Sequence, residues 1–391
     1  MLKVIHLTAS PFFGGPERQL IELAKTFRYE NRAVETVFAS FAEDGNAKPF
    51  LDEAAKAGFE SIMLQNDMPH LWAAAKELAR LFHDKQINIA FFNGYKARTV
   101  GYYAARKNRI PCIGVSRGWT MEDLKIAVYT WLDKRMHRLM DHVVCVSQGQ
   151  ADKVIRSGTP KKRITVIHNS IRTERFSTER CADISPVYRQ KLEQIFPAAP
   201  KFILGDAGRL SPEKGFDLLI TATANLVKEG ISCGLVIFGE GFLREQLQRQ
   251  IDALGVSDYV RLGGFTDELD QFMPHFDVFI QSSHTEGMPN VLLEAMAART
   301  AVVATEVGGT NELVVEGETG LMVPPNLPNR LTDAIRTVLQ DDSLRRRMGE
   351  NGRMRVEENF TFEAQAESYW KLFQCIVDQN RNDSSYRKRA G

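Results

Sequence analysis

Cysteine is scarce in this 391-residue chain: Cys112, Cys145, Cys181, Cys233 and Cys375 are scattered, odd in number and never in CxxC spacing. That excludes a disulfide framework and a zinc ribbon, and it points to reduced thiols in a cytoplasmic protein. Long apolar runs are missing too; none approaches the ~18 residues of a membrane-spanning helix. The opening MLKVIHLTAS carries one lysine and passes straight into a Gly/Pro loop, so it reads as a first strand and not as a secretion signal. GxGxxG is absent, which disfavours a nicotinamide dehydrogenase. No DxD pair stands in a strand-end loop, so no metal site is expected and charge balance falls to cationic side chains. Net charge is only +1, which gives no overall attraction for nucleic acid.

That small net charge hides an asymmetry. Residues 1–180 hold 28 Lys and Arg against 19 Asp and Glu, while the remainder has 22 against 30. The basic half suits an anionic acceptor or a membrane surface, with AARKNR (104–109) and KVIRSGTPKKR (153–163) as its densest patches.

What the chain has in abundance is alternation. Apolar runs of four to six residues alternate with helical patterns of 10 to 18 from end to end, the mark of parallel sheets covered by helices. KVIHLT, VETVFA, NIAFF, CIGV, HVVCV and ITVI supply strands for one sheet; KFILGDAG, GLVIFG, YVRLGG, VFIQSS, AVVAT and GLMV supply a second. Two complete sheets predict two Rossmann-like lobes. The prolines and mixed charge of 177–200 mark the boundary between them.

The stretch SHTEGMPNVLLEAMAA (283–298) reads as a loop breaking into a helix, with Asn290 placed to cap it. Glu286 precedes the helix and Glu294 lies about one turn inside, so the two carboxylates flank the helix mouth. Between them the first-turn N–H groups attract an anion. Upstream, GDAGRLSPEKGFDLLI projects Arg209 and Lys214 beyond a strand end, where two cations neutralise a diphosphate. A ligand with hydroxyls at both ends and negative charge between them fits this set of groups.

EGMPNVLLE, with seven residues between its glutamates, resembles the donor-site motif of the retaining GT-B glycosyltransferases of family 4. FGGPERQ, VIHNSIRTERF, GRLSPEKGFDLLI and VGGTNELVVEGETGLMVP follow that family's order, and the resemblance runs from about residue 2 to 375. It implies an α/β GT-B fold: two Rossmann-like parallel-sheet lobes with an interlobe cleft and a C-terminal crossover helix. The expected divisions are an acceptor-side lobe at 1–180, a donor-binding lobe at 181–360, a returning helix at 361–379 and a disordered tail at 380–391.

The resemblance also assigns roles. Glu286 and the backbone of Gly287, Met288, Pro289 and Asn290 would hold the donor sugar, and Glu294 the ribose. Arg209 and Lys214 would hold the phosphates and stabilise the leaving group, with Gly15 contacting phosphate from the first lobe. Gly239 and Phe265 would line the nucleoside pocket. From their own places after strand ends, Asn93, Ser147 and Trp119, whose ring could stack on a sugar, are acceptor-side candidates beside Arg117. Many relatives carry histidine before the glycine at Gly118, whereas this chain has Arg117, which stays charged and can orient an oxygen but cannot act as a base.

The activity implied is metal-independent, retaining transfer of a hexosyl group from a UDP- or GDP-sugar to a hydroxyl of a carbohydrate or lipid-linked acceptor. No cofactor is implied. Cell-surface polysaccharide or glycolipid synthesis, in the cytoplasm or peripherally at the inner membrane face, is the expected setting. A nucleotide-sugar epimerase of the same fold, and a non-catalytic nucleotide-sugar binding protein, are the alternatives.

Overall fold

The computed structural model describes residues 1–9, 13–119, 124–176 and 187–389. The expected boundary at residue 180 and Cys181 lie outside the described residues. The chain forms two compact units: Met1–Asn169 together with the C-terminal helix, and Ser170–Thr361.

The first unit carries a parallel sheet built from β1 (Leu2–Thr8), β2 (Val34–Ser40), β3 (Glu60–Met63), β4 (Ile89–Asn93), β5 (Cys112–Ser116), β6 (His142–Cys145) and β7 (Ile164–Val166). Their order is β3-β2-β1-β4-β5-β6-β7, so the winding reverses between β1 and β4. Leu2 pairs with Val34 on one side of β1, and Val4 with Ile89 on the other. Buried Ile5, Leu7, Ala90 and Phe92 anchor one apolar layer, and Val4, Phe91, Ile113 and Val144 the opposite one. Near-continuous apolar strands are what burial on both faces requires.

The helix Phe362–Arg389 lies on that second layer through Ala366, Tyr369, Leu372, Phe373 and Ile376. Tyr369 meets Phe91 edge-on at 5.6 Å. The aromatic spacing near the C-terminus is therefore packing.

The second unit carries β8 (Phe202–Ala207), β9 (Cys233–Phe238), β10 (Val260–Gly264), β11 (Val278–Gln281), β12 (Ala301–Thr305) and β13 (Gly320–Val323), all parallel. Their order is β10-β9-β8-β11-β12-β13, reversing between β8 and β11. In open α/β sheets, ligands bind beyond the carboxyl ends of the strands at such a reversal. Here those ends are Ala207 and Gln281.

All twelve apolar runs named above are strands. The thirteenth, β3, is a half-exposed ESIM at the sheet edge and has no apolar run to reveal it. Cys112, Cys145 and Cys233 are free and buried, and burial pushes each thiol up to about 12.

Candidate active site

Beyond β8 the chain turns through Gly208 and Arg209 into a 3-10 turn, Pro212–Lys214, then enters the helix Phe216–Lys228 at Gly215. Gly215 has φ of 62°, and a Cβ there would stand 2.2 Å from the carbonyl oxygen of Ser282. Only glycine permits that approach. The turn is thereby pressed against the loop that follows β11. Ser282 Oγ donates to the Lys214 carbonyl at 3.0 Å, and the His284 amide donates to the Glu213 carbonyl at 2.8 Å.

A third segment holds the Glu286 loop from its other side. Gly308, at φ of 52°, would place a Cβ 1.9 Å from the Glu286 carbonyl oxygen, and the Gly309 amide donates to the Gly287 carbonyl at 2.9 Å. The VGGTNEL motif thus fixes the backbone under Glu286. Thr305 Oγ1 adds a hydrogen bond to the Ser283 carbonyl at 2.6 Å.

These constraints bring Lys214 Nζ to 2.7 Å from Glu286 Oε1, and Ser283 Oγ donates to the same oxygen at 2.7 Å. Burial opposes the charge on Lys214, but Glu286 outweighs it, so the ammonium stands above its ordinary range; Asp206 and Glu213 add to the effect. Asp206 is buried at the end of β8, and desolvation pushes it well above the ordinary carboxylate range despite the Ala207 amide donating to Oδ1 at 2.7 Å.

Arg209, on the same turn as Lys214, pairs with Glu213 at 2.8 Å, and its side chain is 53% exposed. Burial raises Glu213, but the hydroxyl of Ser211 and the guanidinium of Arg209 more than compensate, and its carboxyl lies below the usual range. Sequence reasoning found Arg209, Lys214 and Glu286, and the structure brings all three to the strand ends at the β8–β11 reversal. It missed Asp206, Glu213 and Ser283. A lone acid closing an apolar strand was the available signal for Asp206.

The remaining second-unit positions divide. Gly287, Met288 and Pro289 are buried, and Glu294 lies in the helix Asn290–Ala297. Asn290 does not cap that helix: Pro289 occupies the cap position and Asn290 is the first helical residue. Gly239, at φ of 135°, would set a Cβ 1.9 Å from the Gly208 carbonyl oxygen, and its amide donates to the Gly264 carbonyl at 2.8 Å. Its glycine identity comes from backbone packing between β8 and β9. Phe265 is 72% exposed just past β10.

In the first unit, Gly15 opens the helix Gly15–Tyr29, and the Gly14 amide donates to Glu17 Oε2 at 3.0 Å. Asn93 closes β4 and Arg117 follows β5; Arg117 Nη2 donates to Asn93 Oδ1 at 3.4 Å. The acceptor-side expectation for Ser147 is corrected here. Ser147 is fully buried, and its Oγ accepts from the Gln150 amide at 3.2 Å as the cap of the helix Gln148–Arg156. Trp119, partly buried against the core, gives its indole N–H to Asp133 Oδ2 at 2.8 Å. Asp133 also accepts from Arg98 Nε at 2.8 Å, while Arg98 Nη1 donates to the Val115 carbonyl at 2.6 Å. That buried network had no local trace in the sequence.

Comparison with known proteins agrees with this arrangement. The family described as Glycosyltransferase Family 4 matches residues 13–175, and that described as Glycosyl transferases group 1 matches 189–355. Between them they take in both sheets, and the chain belongs to the GT-B glycosyltransferases of group 1 and family 4. It is 35% identical over 235 residues to the lipopolysaccharide core biosynthesis glycosyltransferase LpsE of Rhizobium meliloti, covering 60% of this chain and 64% of LpsE. Over 209 residues it is 33% identical to the N-acetylgalactosamine-N,N'-diacetylbacillosaminyl-diphospho-undecaprenol 4-alpha-N-acetylgalactosaminyltransferase of Campylobacter jejuni, 53% of each chain. The match thus spans less than two thirds of either relative. The structure of Anabaena HepE, solved with UDP and with UDP-glucose, superposes with a TM-score of 0.80 at 24% identity, covering 96% of this chain and all of that one.

Proposed function

We propose that the protein transfers a hexosyl group from a nucleotide diphosphate sugar to a hydroxyl of a carbohydrate or lipid-linked acceptor, with retention of configuration and without a metal. The carrying observation is the Lys214–Glu286 pair, held by Ser283 at the reversal of the second sheet. Both contacts go to Oε1 of Glu286, which leaves Oε2 to accept from donor-sugar hydroxyls. An ammonium has three donors. With one on Glu286, Lys214 has others for a diphosphate, and Arg209 supplies a second cation from the same turn. Together they stabilise the charge that grows on the leaving diphosphate as the glycosidic bond breaks. Glu294 accepts from the ribose.

A UDP-sugar donor is supported by the UDP and UDP-glucose bound to the HepE structures. A polyprenyl-diphosphate-linked or polysaccharide acceptor is supported by the names of the relatives from C. jejuni and R. meliloti. The experiment is an assay of transfer from radiolabelled UDP- and GDP-hexoses to a panel of saccharide and lipid-linked acceptors. Hydrolysis alone, or no consumption of any donor, contradicts the proposal.

The first unit is also proposed to touch a membrane surface. The helix Leu124–Leu139 exposes Val128, Trp131 and Leu139 beside Lys134, Arg135 and Arg138. An aromatic ring with basic neighbours suits an anionic lipid interface. Among the described residues no helix is long and apolar enough to cross a membrane.

A further inference from the structure

One cation in the first unit makes no ion pair among the described residues. It is Arg117, and its one side-chain hydrogen bond among them is the 3.4 Å contact to Asn93 Oδ1. Its Nε and the Nδ2 of Asn93 are both buried without a partner. Guanidinium cannot lose its proton to escape this situation. Burial depresses it from its ordinary value even so, while Tyr369 and Glu17 act in the opposite sense.

The neighbours offer no neutralising charge at contact distance. His6, in the strand β1 and packed at a tilt against Phe38 and Phe91, is held neutral near 3, by its own burial first and by Arg117 second. Burial pushes the Tyr369 phenol up to about 12, so it too is neutral. Glu17 gives Oε2 to the Gly14 amide.

Nor can the loop readily swing the charge out. Two residues after Arg117, Trp119 is tied to Asp133, and two residues before it the Val115 carbonyl is tied to Arg98, which itself binds Asp133. The fold therefore holds a cation and an amide N–H together at the carboxyl ends of β4 and β5 and leaves both under-used. A part-buried charge with no ion pair is costly, and a planar guanidinium beside an amide donor matches the paired oxygens of an oxyanion.

We propose that Arg117 and Asn93 form an oxyanion-binding site, and that the acceptor held by the first unit carries a carboxylate or phosphate group bound there. The assignment to the acceptor rests on the transferase reading above; the anion site itself does not. A neutral hydroxyl would satisfy the hydrogen bonds and leave the guanidinium without an ion pair, so acidic acceptors are selected over neutral ones.

The test is thermal melting of the full-length protein with D-glucuronate, D-glucose 6-phosphate or D-glucose, in the wild type, Arg117→Met and Lys214→Ala. The wild type and Lys214→Ala should be stabilised by the two anions and not by glucose. Arg117→Met should bind the anions at least ~10-fold more weakly, and without ligand it should melt no lower than the wild type, because a charge with no ion pair has gone. Should Arg117→Met fail to fold, Arg117→Lys substitutes for it, with anion affinity expected between wild type and none. The larger response of the two anions tells carboxylate from phosphate. An anion effect no greater than that of glucose, or one that survives loss of Arg117, overturns the site. Arg117-dependent anion binding by a protein that transfers no sugar upholds the site and removes the acceptor assignment. Sugar transfer without Arg117-dependent anion binding removes the site and the acceptor assignment with it, and leaves the transferase reading standing.

Discussion

Lys214 Nζ and Glu286 Oε1 stand 2.7 Å apart although 72 residues separate them, and each sits on a loop leaving one of the two strands that flank the reversal of the second sheet. Both side chains are mostly buried. The pair is thus both a clasp between loops and the charged centre of the proposed donor site. Glu286→Ala is expected to lower turnover by roughly 100-fold or more, about 2.7 kcal/mol of lost transition-state stabilisation. It also leaves Lys214 without its partner, so the variant should be less stable by about 3 kcal/mol. Steady-state kinetics with urea unfolding measures both, and near-normal turnover would remove Glu286 from its assigned role.

Gly308 is a second lever on the same carboxylate. Alanine there must keep φ of 52° and would bring a methyl group within 1.9 Å of the Glu286 carbonyl oxygen, so the Glu286 loop has to move. Effective catalysis is sensitive to displacements of about 1 Å. Gly308→Ala should cost activity by about 100-fold or more while far-UV circular dichroism stays that of the wild type. Gly317, also at positive φ but with open space around it, is the matched control, and Gly317→Ala should lose only about 1 kcal/mol of stability with little loss of turnover. Equal activity losses in the two would contradict the account.

Acid should weaken the first unit through buried histidines. Burial holds His6 near 3 and His137 near 4 in the folded chain, against an ordinary value of 6.5. Between about pH 4 and 6.5 the unfolded chain binds protons that the folded one refuses, so stability is full above pH 6.5 and is lost as pH falls towards 4. Each histidine contributes a slope of about 1.4 kcal/mol per pH unit in that window. Asp206, raised by burial, acts in the opposite sense over part of the range, so the informative quantity is a difference. His6→Phe should flatten the dependence of urea-unfolding free energy on pH by about 1.4 kcal/mol per unit relative to the wild type. Identical slopes would show that His6 takes up protons without unfolding.

The helix Leu124–Leu139 should bind anionic bilayers. Co-sedimentation with phosphatidylglycerol vesicles is expected to exceed that with phosphatidylcholine and to fall as salt screens the basic residues. Trp131→Glu replaces an exposed ring with a charge and should reduce binding by about 10-fold or more without changing the melting temperature. Equal binding to both lipids would contradict the proposed contact.

Much of this architecture could be read from local pattern because both sheets are buried on two faces, which forces continuous apolar runs. The edge strand β3 escaped because half-exposed ESIM needs no such run. Arg209, Lys214 and Glu286 were legible as charges set in Gly/Pro-punctuated loops at strand ends. Their companions were less so. Ser283 matters because of where Lys214 arrives, 69 residues earlier in the chain, and spacing does not encode that. Arg98 and Asp133 pair across 35 residues, and Asp133 also takes the Trp119 indole N–H, a tie on the Arg117 loop that spacing does not encode. Ser147 and Asn290 both had the residue type of a cap; only Ser147 lies where a helix needs one, since Pro289 already closes the other. The first compact unit ends at Asn169, earlier than the Pro-containing stretch suggested.

The central claim is that Lys214 and Arg209 hold the diphosphate of a sugar nucleotide while Glu286 holds its sugar. A crystal structure of the protein with a UDP- or GDP-sugar, whichever calorimetry shows to bind, tests it most directly. The account predicts diphosphate oxygens within hydrogen-bonding distance of Lys214 Nζ and the Arg209 guanidinium, a sugar hydroxyl on Glu286 Oε2 and the ribose on Glu294. A diphosphate bound away from both cations, with Glu286 touching only Lys214 and Ser283, would contradict it.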